Sequence, residues 1–141
     1  MIKVSEKLFR GSRPESFQDL CEEGISLVIN LQSGAHEFFK DDKYEFESAA
    51  EFGIIELNLK CGDVFAPSAE EVSDFLDAIN SHSGKAYVHC LHGKDRTGFM
   101  CAIYRMKVQG WTFEESIKEM FDLGFHKVPY IFWLKELKKY K

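Results

Sequence analysis

The residue types that could do chemistry are concentrated in one stretch of the chain, His89-Cys90-Leu91-His92-Gly93-Lys94-Asp95-Arg96-Thr97-Gly98. Cys90 and Arg96 bracket five residues with a glycine at the centre. An apolar run before the stretch predicts a buried strand, and apolar residues at helical spacing after it predict a helix. The predicted order is strand, tight loop and helix N-terminus, which is an arrangement suited to binding an oxyanion.

The backbone of this loop would supply much of the anion binding. Successive N–H groups can point inward to form a nest, and the helix start adds unpaired N–H groups and the positive end of its dipole. The central glycine lets the chain turn without a Cβ clash. The arginine at the end of the loop can grip two phosphate oxygens with its planar guanidinium. The predicted phosphate-binding residues are Leu91, His92, Gly93, Lys94, Asp95 and Arg96.

Cys90 would lie at the bottom of the loop, under a bound phosphorus atom, as a nucleophile. A free cysteine is mostly thiol at neutral pH, and the loop N–H groups with Arg96 would lower its pKa by roughly three units. Thr97 would donate its hydroxyl to the sulfur, and His89 would order the loop by hydrogen bonds rather than carry protons. A buried cysteine beside a charged helix start is the alternative, which the joint pattern of His-Cys, glycine and Arg-Thr-Gly disfavours.

The same residues resemble the signature of the cysteine-dependent protein tyrosine phosphatases. Two further segments, Phe9-Arg10-Gly11-Ser12-Arg13-Pro14 and Val28-Ile29-Asn30-Leu31, resemble the opening of the atypical dual-specificity phosphatases of plants and fungi. Some members of that group act on inositol pyrophosphates. The resemblance covers nearly the whole chain and implies a single catalytic domain over residues 1–141. No metal or other cofactor is expected, because Arg96 and the loop N–H groups would take the phosphate charge.

Two aspartates are candidates for the general acid that protonates the leaving group. Asp63 lies after a predicted strand and ahead of a helix, as does the acid loop of tyrosine phosphatases, although a turn aspartate at a helix entry is the alternative. Asp95 lies inside the loop, and its Lys-Asp-Arg context resembles certain bacterial and phosphoinositide phosphatases whose loop aspartate is implicated in acid chemistry. The Trp-Pro-Asp triplet of the usual tyrosine phosphatases is missing, so both aspartates remain candidates. Our hypothesis is that Asp63 is the general acid.

The rim of the loop carries positive charge that bears on the substrate. Lys94 follows the central glycine directly, as in the phosphatase and tensin homologue, which implies contact with a second phosphate and gives His92 a supporting role. A lysine that is simply solvated is the alternative. The expected substrates are inositol polyphosphates or pyrophosphates, phosphotyrosine, or both. Cys61 adds a separate hypothesis, a reversible disulfide with Cys90 under oxidants.

Composition limits the remaining functions. The chain has 141 residues with 45% hydrophobic and 29% charged residues and a formal net charge of −5. These values are typical of one soluble globular domain and argue against a nucleic-acid partner. No stretch is long enough for a membrane span, and no apolar run follows the first lysine. Four scattered cysteines without metal-type spacing suit a reduced, cytoplasmic protein, while the oligomeric state stays open.

The elements that must position the loop alternate between strand and helix. Such alternation predicts a single α/β domain with a central, mostly parallel sheet flanked by helices. In these sheets ligands bind at the carboxyl ends of the strands, which is where Cys90 and Asp63 both fall. Helices are predicted at residues 16–23, 43–52, 68–81, 97–109, 112–123 and 129–141, and strands at residues 4–10, 25–31, 54–59 and up to residue 88.

Two other function classes fit part of the pattern. A sulfurtransferase of the rhodanese type also places a cysteine in an anion-binding loop, but Arg-Thr-Gly at the helix start fits a phosphatase better. A phosphate-binding module without turnover would follow if neither aspartate reached the site. Transfer of sulfur from thiosulfate to cyanide would identify the first class, and phosphate binding without hydrolysis the second. The sequence therefore predicts a cysteine-dependent phosphatase that forms a phosphocysteine intermediate.

Overall fold

A five-stranded sheet forms the centre of the molecule. The structure is a computed structural model and describes residues 1–33 and 48–141. The strands are β1 (Ile2–Lys3), β2 (Leu8–Gly11), β3 (Ile25–Asn30), β4 (Ile55–Asn58) and β5 (Lys85–His89). Their order across the sheet is β1-β2-β5-β3-β4, with β1 antiparallel to β2 and all other pairs parallel. The predicted α/β fold with a mostly parallel central sheet is confirmed.

In residues 1–33 and 48–141, five α-helices and one 3₁₀ helix flank the sheet. Capping boxes begin two of the helices: Ser68 Oγ accepts from Glu71 N at 3.2 Å, and Thr112 Oγ1 accepts from Glu115 N at 3.1 Å. Within the described ranges, no helix combines the length and the apolar character needed to cross a bilayer. The helices are α1 (Phe17–Glu22), the 3₁₀ helix Ala49–Phe52, α2 (Ala69–Ser81), α3 (Arg96–Lys107), α4 (Phe113–Asp122) and α5 (Tyr130–Lys138).

The alternation of side chains along the strands divides the interior into two cores. On one face, Leu8 and Val88 pack with buried residues of α2, α3, α4 and α5, including Phe75. On the other face, Tyr87 packs with residues of α1 such as Phe17. The larger core therefore lies on the side of α2 to α5. Full burial of each large apolar side chain stabilises the folded state by about 1.5–3 kcal/mol.

Three predicted elements differ from the structure. The strand expected at residues 4–10 begins only at Leu8, because residues 4–7 form a turn between β1 and β2 in which Ser5 Oγ accepts from Lys7 N and Leu8 N. The strand expected at residues 54–59 is the shorter β4, which lies at the edge of the sheet and leaves Ile55 62% exposed. The helix expected at residues 43–52 lies partly outside the described residues, and its end is the 3₁₀ helix, which stops at Gly53.

Cys101 and Tyr87 are two of the ionisable side chains that are buried in these cores. Burial raises the pKa of the Cys101 thiol, in α3, from 9.0 to about 11. The same cause raises the pKa of the Tyr87 hydroxyl, in β5, from 10.0 to about 12. Both groups therefore keep their protons in the folded protein over a pH range in which the unfolded chain loses them.

We predict that the free energy of unfolding falls as the pH rises above about 9. Between about 9 and 11 the unfolded state releases the Cys101 proton while the native state holds it, so stability present below pH 9 is lost. The loss from this thiol is on the order of 3 kcal/mol by pH 11. Urea unfolding at a series of pH values measures it. Cys101→Ala should decline less steeply than wild type, whereas Cys21→Ala, at an exposed thiol, should not change the slope.

Candidate active site

The loop of residues 90–95 joins the end of β5 to the start of α3. Helix α3 begins at Arg96, and its first turn bonds back to the loop through Gly98 N to Lys94 O at 3.1 Å and Phe99 N to Asp95 O at 2.9 Å. Both Cys90 and Arg96 are buried. The order of strand, tight loop and helix start that the sequence predicts is therefore present, at the carboxyl edge of the sheet.

The sulfur of Cys90 has a hydrogen-bond donor beside it. Thr97 Oγ1 donates to Cys90 Sγ at 3.1 Å, and the threonine is fully buried in the first turn of α3. His89 acts on the backbone instead, since its Nδ1 lies 3.1 Å from Cys90 O and a carbonyl oxygen only accepts. The hydroxyl can therefore stabilise a thiolate, while the histidine holds the peptide that carries it.

Arg96 joins the loop to the segment that carries Asp63. Its Nη1 donates to Cys61 O at 3.1 Å, two residues before Asp63 in the connection between β4 and α2. The same connection is held from α5 by Trp133, whose Nε1 donates to Val64 O at 3.3 Å. Asp63, which is partly buried, is therefore fixed on both sides at the edge of the sheet where Cys90 lies.

Asp95 is bound to a different part of the chain. Its Oδ1 accepts from His126 N at 2.9 Å and lies 3.2 Å from His126 Nδ1, in the connection between α4 and α5. It precedes the first residue of α3, but its side chain makes no capping bond to that helix. The carboxylate of Asp95 thus anchors the neighbouring connection to the loop, which is a positioning role.

The loop is packed backbone to backbone against the end of β2. Gly93 has a φ of +71°, and a Cβ on it would lie 2.4 Å from the carbonyl carbon and oxygen of Gly11 and 2.7 Å from Ser12 N. Beside this contact, Arg13 N donates to Leu91 O at 3.2 Å, and Tyr87 Oη donates to Ser12 O at 2.6 Å. Residues 11–13 therefore buttress the loop, a role that their sequence does not reveal.

The rim of the loop is exposed and basic. His92 and Lys94 both lie at the surface. The stem of Lys94 rests on Gly124, where an added Cβ would lie 3.0 Å from Lys94 Cδ and where φ is +106°. Gly124 and His126 are two site residues that the sequence analysis missed, because their one sequence signal is the turn glycine after α4.

Cys61 is a poor candidate for a reactive thiol. Burial, followed by the nearby carboxylate of Glu71, raises its pKa to about 12. The side chain is fully buried, and all four cysteines are unpaired in the structure. The disulfide with Cys90 stays a prediction. Across residues 1–33 and 48–141, no histidine, cysteine and carboxylate side chains are grouped as metal ligands.

Comparison with known proteins gives a consistent family. Residues 8–141 match the model of the family described as dual specificity phosphatase, catalytic domain. The dual specificity protein phosphatase TpbA of Pseudomonas aeruginosa is 29% identical over 126 residues, which are 89% of this chain and 55% of TpbA. The mRNA-capping enzyme of Caenorhabditis elegans is 30% identical over 139 residues, which are 92% of this chain and 22% of that enzyme. The chain therefore spans about half the length of the first of these relatives and less of the second.

Solved structures of phosphatases share the fold. Tk-PTP in its active form matches with a TM-score of 0.74 at 21% identity and covers 97% of this chain and 95% of that one. P. aeruginosa TpbA in complex with phosphotyrosine matches with a TM-score of 0.71 at 22% identity and covers 96% of this chain and 84% of that one. At these identities the likeness concerns the fold alone, and it confirms the tyrosine-phosphatase-like architecture.

We predict that Gly93→Ala destabilises the protein much more than Gly53→Ala does. Both glycines have a φ of +71°, but nothing lies within 4 Å of a Cβ at Gly53, whereas Gly11 and Ser12 block one at Gly93. The left-handed backbone alone costs about 1–2 kcal/mol with alanine, and the clash adds to it at Gly93 only. Urea unfolding of the two variants measures the difference. Equal losses would show that the loop can move away from β2 freely.

Proposed function

The chain belongs to the dual-specificity phosphatase family, and from that premise we propose that residues 1–141 form one catalytic domain that hydrolyses phosphate monoesters. One observation carries the proposal: a buried cysteine at the base of an anion-binding loop, with Thr97 Oγ1 donating to its sulfur at 3.1 Å. A buried structural cysteine needs no such donor. A thiolate that must attack and later leave is stabilised by it.

The reaction would proceed in two displacements at phosphorus. The Cys90 thiolate attacks, the P–O bond to the leaving group breaks, and a phosphocysteine forms. Arg96 and the loop N–H groups would bind the equatorial oxygens, and an aspartate would give its proton to the departing oxygen. Water then attacks the phosphocysteine, the same aspartate takes a proton from it, and phosphate and the thiolate are released.

Asp63 is the residue that we propose as the proton donor. Arg96 Nη1 ties the connection of Asp63 to the phosphate-binding loop through Cys61 O, which supports a place for Asp63 beside the leaving group. Asp95, the other candidate, already accepts a hydrogen bond from His126 N. Its carboxylate therefore lies against the connection between α4 and α5.

The substrates we propose are inositol polyphosphates or pyrophosphates, together with phosphotyrosine. Lys94 supports the first class, since its stem is held against Gly124 and its ammonium group is exposed at the rim. Such a group can bind a second phosphate on the same molecule. The likeness to plant and fungal members, a cytoplasmic location and the lack of a nucleic-acid partner stay predictions from the sequence.

A phosphotyrosyl peptide is favoured by a different feature. Val64 and Phe65, directly after Asp63, are 70% and 83% exposed, and they line one groove with Phe132 of α5, which is 66% exposed. A highly charged inositol phosphate has no apolar group to cover these side chains. The residues on either side of a phosphotyrosine in a peptide can supply apolar side chains that cover them.

We predict that the wild-type protein releases phosphate from inositol polyphosphates and from a phosphotyrosyl peptide, and that Cys90→Ser lowers both rates by about 10³-fold or more.

Lys94→Ala should lower kcat/KM for the inositol compounds about tenfold more than for the peptide, because one charged contact is lost. Lys107→Ala, at the far end of α3, is the matched control. Equal losses on both substrates would contradict the role of Lys94. Release from neither substrate would overturn the phosphatase proposal and direct the next assay to thiosulfate and cyanide.

We predict that Asp63→Asn lowers turnover of an alkyl phosphate by about 10²–10³-fold and that of para-nitrophenyl phosphate much less. Alkoxide is a poor leaving group that needs a proton, whereas nitrophenolate leaves without one. Asp95→Asn keeps the size of the side chain and should affect the two substrates alike, through a looser loop. The assignment is wrong if Asp63→Asn retains the full rate on the alkyl phosphate while Asp95→Asn loses it.

A further inference from the structure

A buried arginine that the proposed mechanism does not use lies beside the loop. Arg10, in β2, is 1% exposed and is the largest fully buried side chain. Its Nη2 donates to Gly93 O at 3.0 Å, while its buried Nη1 makes no hydrogen bond. Among the described residues, no ion pair includes Arg10. A buried guanidinium without a carboxylate is unfavourable unless another anion lies nearby, and Cys90 would supply one as its thiolate.

The strand register directs Arg10 toward the nucleophile. Arg10 pairs with Val88 in the parallel β2–β5 ladder, and Cys90 follows Val88 by two residues. Because side chains alternate along a strand, Arg10, Val88 and Cys90 leave the sheet on the same face. An added Cβ at Gly98, in the first turn of α3, would lie 3.7 Å from Arg10 Nη2. The guanidinium therefore lies between β2, the loop and the start of α3.

The bond from Arg10 also sets the direction of a loop peptide. In a trans peptide the C=O and the following N–H point in opposite directions. Since Gly93 O points to the buried Arg10, the N–H of Lys94 points away from it, to the side of the loop where an anion would bind. Arg10 therefore holds one of the loop donors in the orientation that anion binding requires.

The other ionisable groups near the sulfur contribute little charge. Cys61, Tyr87 and Cys101 all interact electrostatically with Cys90, but burial raises their pKa values to about 12, 12 and 11, so they are neutral at pH 7. His89 is bonded to the backbone at Cys90 O. Lys94 and His92 lie exposed at the rim, where water screens them. Arg96 and Arg10 are the buried arginines at this site.

We propose that Arg10 is a positioning residue of the active site: it holds the Gly93 carbonyl outward so that the loop N–H groups face the anion, and its unpaired buried charge stabilises the Cys90 thiolate. This inference rests on the proposed role of Cys90 as the nucleophile. If Arg10 only filled space, an apolar side chain of similar length would do so with less desolvation.

Three substitutions separate the charge from the hydrogen bond. Arg10→Met removes both, Arg10→Gln keeps a donor for Gly93 O without the charge, and Arg10→Lys keeps the charge. Arg105→Met is the matched control, because Arg105 is also largely buried but pairs with Glu119 at 2.8 Å, away from the loop. The readout is the pH profile of alkylation of the Cys90 peptide by iodoacetamide, followed by mass spectrometry. The free energy of unfolding is measured on the same samples.

For Arg10→Met we expect the alkylation midpoint to rise by about one pH unit or more, so that the rate of alkylation below it falls about tenfold. Its free energy of unfolding should be unchanged or higher. Arg10→Gln should shift the midpoint less, and Arg10→Lys should stay near the wild-type profile. Arg105→Met should show the opposite pattern, with lower stability and an unchanged profile.

An unchanged alkylation profile in Arg10→Met, with lower stability, would overturn the inference and leave Arg10 a structural residue. If that variant does not fold, an unchanged profile in Arg10→Gln contradicts the charge role in the same way. Alkylation needs no turnover, so the two proposals can fail separately. A wild-type protein that hydrolyses no phosphate ester, with Arg10 variants that still shift the profile, would refute the phosphatase activity and support the role of Arg10.

Discussion

The site depends on the close approach of two backbones, Gly93 in the loop and Gly11 at the end of β2. A Cβ at Gly93 would lie 2.4 Å from the Gly11 carbonyl, so the two segments are in contact without any side chain between them. That contact lets Arg13 N reach Leu91 O and lets Arg10 reach Gly93 O, at 3.2 and 3.0 Å. The shape of the loop is therefore set by its neighbouring strand as much as by its own residues.

Side chains of the loop also form hydrogen bonds to the two other connections at the same edge of the sheet. Arg96 bonds to Cys61 O in the connection after β4, and Asp95 bonds to His126 N in the connection before α5. Both bonds end on the backbone of the partner, so they position chain segments rather than individual side chains. The loop therefore contacts both other connections, and a change in any one of the three should alter the position of Cys90.

The parts of the site that sequence reasoning predicted are the local ones. The cysteine, the central glycine and the helix start at Arg96 lie within seven residues, where backbone rules apply directly. Capping boxes such as Ser68–Glu71 are local for the same reason. His126 and Arg10 could not be assigned in this way, because their partners are 31 and 83 residues distant along the chain. The exposure of Ile55 likewise depends on the position of β4 at the sheet edge.

Two buried arginines approach the loop from different elements. Arg96 enters from the start of α3 and donates to Cys61 O, while Arg10 enters from β2 and donates to Gly93 O. Burial of their charges is unfavourable by itself, and the thiolate and phosphate of the proposed reaction would offset it. A site of this kind lowers the stability of the folded protein and in exchange favours anion binding. The two apolar cores, packed on both faces of the sheet, supply the stability that makes this arrangement possible.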